Sequence, residues 1–240
     1  MLMRMDMATD LPPIPLRALM TGRLAPLGAG GVTSGIAKAP VAAPLMLRED
    51  GLVGDEQGDL RHHGGPEKAL HHYPFDHYAG WADEIGTKAL LAAPGAFGEN
   101  LSTLGLTERE VAVGDVFRLG QAVIEVSQGR QPCWKLNRRF AVPDMSRRVQ
   151  DSGRTGWYYR VIEGGRIAPD AVLTRIDRRA PDWTIDRLSR ALYGADQDRG
   201  EWAAMAALDP LTPGWRALAL KRLETGRIED WDRRLYELAA

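Results

Sequence analysis

One cysteine, Cys133, occurs in 240 residues. That scarcity excludes an internal disulfide framework and a self-contained cysteine-ligated iron–sulfur cluster, which needs four thiolates. A reducing cytoplasm is the simplest home for such a chain. The sequence also lacks any apolar run near the ~20 residues that span a bilayer. Residues 1–16 are broken by Arg4, Asp6, Asp10, Pro12, Pro13 and Pro15 where a signal peptide would carry an apolar core. Neither membrane nor export is therefore expected. Net charge is −1, so the global balance offers nothing to a nucleic-acid polymer. A dinucleotide fingerprint is missing too: in Gly28-Ala-Gly-Gly31 the preceding Pro26 interrupts the strand and Gly35 falls at the wrong spacing. No flavin motif is present.

What is there reads as a globular chain large enough for one domain, or one domain with a small appendage. Methionine stands at every odd position of residues 1–7, where fraying is expected. Residues 16–27 read as a first strand and 45–47 as a short apolar one. The segments 34–40 and 51–59 read as loops on their glycines and proline. Phe75, Tyr78, Trp81, Ile85 and Ala89 recur at helical spacing. Their aromatic stripe is core in character, and Pro94-Gly95 is the expected stop. Gly95 to Leu101 places glycines beside Glu99 and Asn100, as a loop approaching a ligand would, or a solvent-facing turn. Residues 111–117 then lead into a half-buried hairpin, with Phe117, Leu119, Ala122, Ile124 and Val126 alternating with polar residues about a turn at Gly120-Gln121. Beyond Cys133 come a short helix over 143–150 and strands over 156–162 and 171–176. Three short helices follow, over 185–193 with Thr184 as cap, 198–208, and 213–223 with proline at the start.

Cys133 sits where the hairpin's strand pattern ends and a basic segment begins. Pro132 has no N–H and biases Gln131 toward extended backbone, so the thiol is presented from a restricted loop. The thiolate is the nucleophile and soft-metal ligand, and nearby cations favour that form; Arg130, Lys135, Arg138 and Arg139 lie within six residues. On this spacing alone two readings stand: a small buried hydrophobe, the commoner fate of a lone cysteine, or a presented ligand. From Arg130 to Arg166 nine basic residues face three acidic ones, which suits a phosphorylated ligand or a solvated basic face. Lys38, charged within a small apolar segment, is an exposed lysine or a pocket lysine. All five histidines fall between His62 and His77. No HExxH or HxH pair is present, and adjacent His71 and His72 on a strand point to opposite faces, which disfavours a histidine–carboxylate metal hydrolase.

Taken in order, Gly51-Leu-Val-Gly-Asp55-Glu-Gln57, His63-Gly-Gly-Pro66, His72-Tyr-Pro74, Ala96-Phe-Gly-Glu-Asn-Leu-Ser102, Val113-Gly-Asp115, Val126-Ser-Gln128 with Pro132-Cys133, Lys135-Leu-Asn137 and Thr155-Gly-Trp157 resemble MOSC domains. Within that family they resemble the YiiM-type proteins with a carboxy-terminal three-helix module. The resemblance implies a mainly β fold with peripheral helices (α+β), a MOSC-type β-barrel followed by that module. It divides the chain into a lead and first strand (1–30), the MOSC domain (31–178), the three-helix module (182–228) and a tail (229–240). It implies a bound molybdenum cofactor, an anionic phosphorylated pterin, with Cys133 as the metal ligand and Lys38, His63, Asn100, Ser127, Arg130 and Asn137 around it. His62 and His71 lie outside the family pattern and receive no role. The implied activity is reduction of small N-hydroxylated compounds, such as nucleobase analogues, by oxygen-atom transfer. Electrons would come from a separate donor protein. The terminal helices would recruit that donor or a second subunit, or simply cover the barrel. The alternative is a non-catalytic carrier of the cofactor or of sulfur; the pyridoxal-phosphate domain of MOSC-containing sulfurases has no counterpart here.

Overall fold

The computed structural model describes residues 11–58 and 64–237; the fraying expected of residues 1–7 lies outside them. In chain order the strands are β1 (Ile14–Pro15), β2 (Ala18–Thr21), β3 (Ala25–Pro26), β4 (Thr33–Ser34), β5 (Ala39–Pro40), β6 (Leu45–Arg48) and β7 (Gly51–Leu52). They continue with β8 (Leu70–His72), β9 (Leu101–Ser102), β10 (Asp115–Leu119), β11 (Ala122–Gly129), β12 (Trp157–Glu163), β13 (Gly165–Ile167) and β14 (Val172–Arg178). The helices are α1 (His77–Ile85), α2 (Lys135–Phe140), α3 (Met145–Ser152), α4 (Ile185–Tyr193), α5 (Arg199–Ala206), α6 (Pro213–Thr225) and α7 (Asp232–Leu235).

Nine strands form one curled sheet in the order β1-β14-β10-β11-β12-β8-β9-β2-β5, in which β8 and β9 run parallel. A three-stranded sheet, β13-β6-β7, and the β3-β4 ribbon complete the half-barrel. Its centre is the β10–β11 hairpin, in which Phe117 faces Ile124 and Leu119 faces Ala122. Gly120 makes the turn at φ 60°, where a Cβ would also meet the Arg166 carbonyl oxygen at 2.6 Å.

The hairpin was expected to be half buried, yet all eight residues of β11 are buried. Ile124 and Val126 enter the barrel core with Phe117 and Tyr159. The opposite face lies under the carboxy-terminal helices: a Cβ on Gly129 would come 3.2 Å from the Trp215 ring and 3.7 Å from Ile185. Glu125, on that covered face, is answered by Arg160 at 3.2 Å and Arg179 at 3.0 Å, as a buried carboxylate requires. Sequence alternation alone cannot show that a polar face will be roofed by another element.

The three helices start as their sequence signals indicate. The Thr184 hydroxyl accepts from Arg187 N–H at 3.1 Å, Asp198 accepts from Gly200 and Glu201 N–H at 2.7 and 3.3 Å, and Pro213 opens α6. Ile185, Leu188, Trp202, Met205 and Trp215 belong to the same apolar cluster as Leu19, Phe117 and Tyr159, so the module and the sheet share one core. Elsewhere the first strand expected over 16–27 breaks into β2 and β3, with β1 ahead of it. The expected 143–150 helix runs Met145–Ser152, with Pro143 ahead of the cap Asp144 instead of in the first turn. Helix α1 ends at Gly86, whose φ is 78°, before the Pro94-Gly95 stop. Its stripe is core: Tyr78 and Trp81 pack with Tyr73, Phe97, Leu136 and Phe140 in a second cluster. That cluster ties the 95–100 loop to α2, the two walls of the cleft.

Candidate functional site

A cleft open to solvent is bounded by Lys38, His71, Asn100, Arg130, Cys133 and Tyr158, with Glu56, Gln57, Lys68 and Lys135 also on its wall. Cys133 lies on the loop between β11 and α2 and is 9% exposed. The chain does not continue β11 past Gly129. Arg130 N–H still reaches the Gly156 carbonyl at 3.0 Å, and after Pro132 the turn closes with Leu136 N–H on the Cys133 carbonyl at 3.0 Å. The thiol is thereby carried from the end of β11 to the residue before Trp134, the cap of α2.

Arg130 is 6% exposed, and its Nη1 has no hydrogen-bond partner among the described residues. Buried guanidinium groups are ordinarily paired, so this atom marks a place for an acceptor that the chain itself does not supply. Tyr158, one strand away, has its phenol held above its ordinary range chiefly by burial, with Arg130 opposing.

Lys38 is 7% exposed at its side chain and is ion-paired to Asp55, which is 1% exposed. Burial pulls the ammonium below its usual range and the Asp55 charge opposes that pull. Asp55 Oδ1 accepts from Gly22 N–H at 2.8 Å, and its Oδ2 accepts from Asn100 Nδ2 at 2.8 Å. Asn100 Nδ2 also reaches the Met20 carbonyl at 3.2 Å, and its Oδ1 takes the His71 N–H at 3.1 Å. The amide thus joins the lysine's counter-ion to the strand that carries His71.

The 95–100 loop is built around a buried carboxyl rather than offering one to a ligand. Glu99 is 0% exposed, accepts from Gly95 and Phe97 N–H at 2.7 and 3.0 Å, and takes the Tyr78 hydroxyl. Burial raises its proton affinity against those donors. Gly98 must be glycine: its φ is 77°, and a Cβ would meet Ile36 Cγ1 at 2.8 Å.

The strand β8 separates its two histidines as alternation requires. His71 lines the cleft with its ring centroid 5.0 Å from that of Tyr158. Burial, then the Arg130 charge, holds it far below the normal imidazole range, so it is neutral. His72 points into the barrel, between the Tyr159 hydroxyl at 3.0 Å and Thr103 Oγ1 at 2.8 Å. His77 pairs with Glu108 at 2.7 Å. Among the described residues no three His, Cys, Asp or Glu side chains are grouped to hold a metal ion.

Of the residues assigned by family resemblance, Lys38, Asn100, Arg130 and Cys133 converge on this cleft; His63 lies outside the described residues. Ser127 and Asn137 do not line it. Ser127 Oγ donates to the Glu67 and Tyr158 carbonyls at 2.6 and 3.2 Å, behind the wall. Asn137 Nδ2 donates to the Leu235 carbonyl at 2.8 Å and its Oδ1 accepts from Ser146 N–H at 2.7 Å. The basic wall after the cysteine also shrinks: Arg138 holds Glu237 at 2.7 Å, Arg147 pairs with Asp151 within α3 and Arg148 with its cap Asp144, Arg154 pairs with Glu84, and Arg160 with Glu67 and Glu125. Of the nine cations only Arg130 and Lys135 line the cleft; helix α2 carries Arg138 away to Glu237, and Arg147, Arg148, Arg154, Arg160 and Arg166 stand on later elements, α3, the loop before β12, β12 and β13. His71, Tyr158 and Asp55 were missed. Strand alternation signals that one of His71 and His72 must leave the core; nothing in the sequence signals Tyr158.

With the cysteine, an arginine whose Nη1 has no partner among the described residues and the paired lysine in one cleft, comparison with known proteins becomes specific. The MOSC domain family matches residues 59–174, and the YiiM-like, 3-alpha helix domain matches residues 183–226. Protein YiiM of Escherichia coli (strain K12) is 43% identical over 206 residues, 86% of this chain and 92% of that protein. The chain belongs to the MOSC domain family. The crystal structure of YiiM from Escherichia coli superposes with a TM-score of 0.80 at 36% identity, covering 95% of this chain and all of that one. A protein called Reductase, from Gibberella moniliformis (strain M3125 / FGSC 7600), is 34% identical over 223 residues, 92% of this chain and 39% of the longer fungal protein. As a MOSC protein with a 3-alpha segment, the chain has the strand-rich, barrel-like fold expected from its motifs. Among the described residues no helix is long and apolar enough to cross a membrane.

Proposed function

We propose that this MOSC protein binds a molybdenum cofactor through Cys133 and reduces small N-hydroxylated compounds. The observation that carries the reading is the nine-tenths-buried guanidinium of Arg130, with Nη1 unpartnered, beside the chain's sole thiol. A thiolate is a soft ligand of the kind molybdenum takes. Lys68, Arg130 and Lys135, beside a Lys38 already paired with Asp55, stand against one carboxylate, Glu56, on the cleft wall, which suits an anionic phosphorylated group. The residues present therefore fit the cofactor. When bound, it supplies the two-electron oxygen-atom chemistry.

The chain's own residues bind, orient and neutralise. Arg130 and Lys135 compensate phosphate charge, Cys133 fixes the metal end, and Lys38 holds its place through Asp55. His71, neutral through burial, offers a polar ring without adding charge. Tyr158, kept protonated by burial, is a hydroxyl on the cleft wall for a substrate or cofactor oxygen. Electrons come from a separate donor protein, and a reducing cytoplasm keeps the thiol available.

Purification from a host competent in molybdenum-cofactor synthesis, with metal analysis of wild type and Cys133→Ser, tests the reading. Near-stoichiometric molybdenum in wild type and its loss in the variant are expected; equal retention by both refutes the ligand assignment. With a reconstituted electron donor, loss of the N–O bond from an N-hydroxylated purine analogue is expected. Transfer of cofactor to an apo-enzyme without turnover would instead establish a carrier.

A further inference from the structure

The carboxy-terminal segment beyond α6 lies outside both matched family segments, which end at residue 226, yet it meets the cysteine loop directly. Two contacts come from one residue. The Arg234 guanidinium donates through Nη1 to the Pro132 carbonyl, the peptide group immediately before Cys133. The Arg234 carbonyl accepts from Trp134 N–H at 2.8 Å, the peptide group immediately after Cys133. Both groups flanking the thiol are thereby held by the same residue, one through a side chain and one through backbone.

That residue is itself fixed. Arg234 Nη2 donates to Gln150 Oε1 on α3, and the guanidinium lies 5.6 Å from the centroid of the Tyr193 ring at the end of α4. The next residue, Leu235, is fully buried. Its carbonyl accepts from Asn137 Nδ2 at 2.8 Å and Ser146 Oγ at 2.6 Å. These contacts cross about a hundred residues of sequence and would leave orphaned buried polar groups on α2, α3 and the cysteine loop if the tail withdrew.

We infer that Arg234 is a positioning residue for Cys133: it clamps the peptide groups on either side of the thiol and makes the tail, α7 included, part of the cleft's supporting wall. The clamp rests on geometry alone, while its consequence for molybdenum rests on the ligand role proposed above. Without it the loop gains local opening motions that release the thiol while the barrel stays folded. Arg234→Lys, which keeps the charge but replaces the planar fork, whose Nη1 and Nη2 reach Pro132 and Gln150 separately, with a single nitrogen, stands between.

The test uses the full-length chain and iodoacetamide. Because Cys133 is the only cysteine, labelling reports it unambiguously. Cofactor-free protein from a host unable to make the cofactor is labelled at fixed pH over a series of sub-denaturing urea concentrations. Arg234→Gln is expected to label at least about tenfold faster than wild type, the scale of losing a charge-assisted hydrogen bond, with a rate flat in low urea and Arg234→Lys intermediate. Rates within twofold of wild type overturn the clamp. So does labelling that climbs with urea in step with global unfolding, which marks general destabilisation. In cofactor-competent cells Arg234→Gln is further expected to lose molybdenum on dialysis faster than wild type. A wild type without molybdenum overturns the cofactor reading, and the labelling rates then decide the clamp by themselves.

Discussion

The buried pair of Lys38 and Asp55 offers the sharpest energetic test. Replacing Asp55 by Asn keeps the side chain's shape but leaves the Lys38 ammonium, 7% exposed, without its counter-charge. Removing one partner of a buried pair costs about 3–5 kcal/mol, consistent with about 4 kcal/mol for unit charges about 4 Å apart at an effective dielectric near 20. For a chain of this length that corresponds to a fall in Tm of about 10 °C. Urea unfolding of cofactor-free wild type, Lys38→Met, Asp55→Asn and the double variant would form the cycle. A coupling of about 3 kcal/mol is expected, with the double variant recovering most of the loss. The pH dependence has a definite sign. Lys38 already sits below its ordinary range when folded, and losing Asp55 lowers it further. Over the widened interval up to the unfolded value the unfolded chain binds more protons, so the variant's stability rises with pH. Its deficit is therefore largest near neutrality and shrinks toward pH 10. A deficit below about 1 kcal/mol at pH 7, the scale of an exposed pair, or a coupling near zero would refute the reasoning.

Arg130→Met removes a guanidinium whose Nη1 is orphaned; cofactor-free stability in urea should fall by no more than about 1 kcal/mol, while molybdenum retention measured by metal analysis collapses. A loss of several kcal/mol would mean that the arginine is structural. Burial pushes His72 down to about 3, so on acidification below its unfolded value the unfolded chain takes up a proton that the folded one refuses. Wild type should accordingly lose about 1.4 kcal/mol per pH unit more than His72→Gln between about pH 6 and 4, read as the difference between their urea stabilities. Equal slopes would show that His72 protonates in the fold. Thr184→Ala, which deletes the α4 cap, should cost about 1 kcal/mol, and because α4 shares the sheet's core the whole chain should unfold in one transition at a lower urea midpoint.

Features governed by local rules were legible in the sequence. The α4 boundaries followed from Thr184 and the apolar spacing after it, α6 from Pro213, and the β10–β11 turn from Gly120 between alternating runs. The opposite directions of His71 and His72 followed from strand geometry. In the cleft, Cys133 was marked by its uniqueness and by Pro132, Asn100 by a family motif, Lys38 by its charge within a small apolar segment, and Arg130 as a cation close to the cysteine. Ser127 and Asn137 also stood in family motifs and yet do not line the cleft, because a motif shows that a position is constrained and not what constrains it.

The sequence by itself determined the periods, caps and turns, together with one cysteine among cations, since each depends on residues within a turn or a strand of one another. Only the tertiary structure decided which cations keep company with the thiol: Arg130 is carried into the cleft by the end of β11, while α2 turns Arg138 away to Glu237. It also decided that Asp55 stands behind Lys38 and that Arg234, a hundred residues downstream, brackets Cys133. Such pairings join residues far apart in the chain through burial, and a buried charge or carbonyl is satisfied by whichever partner folding brings within reach.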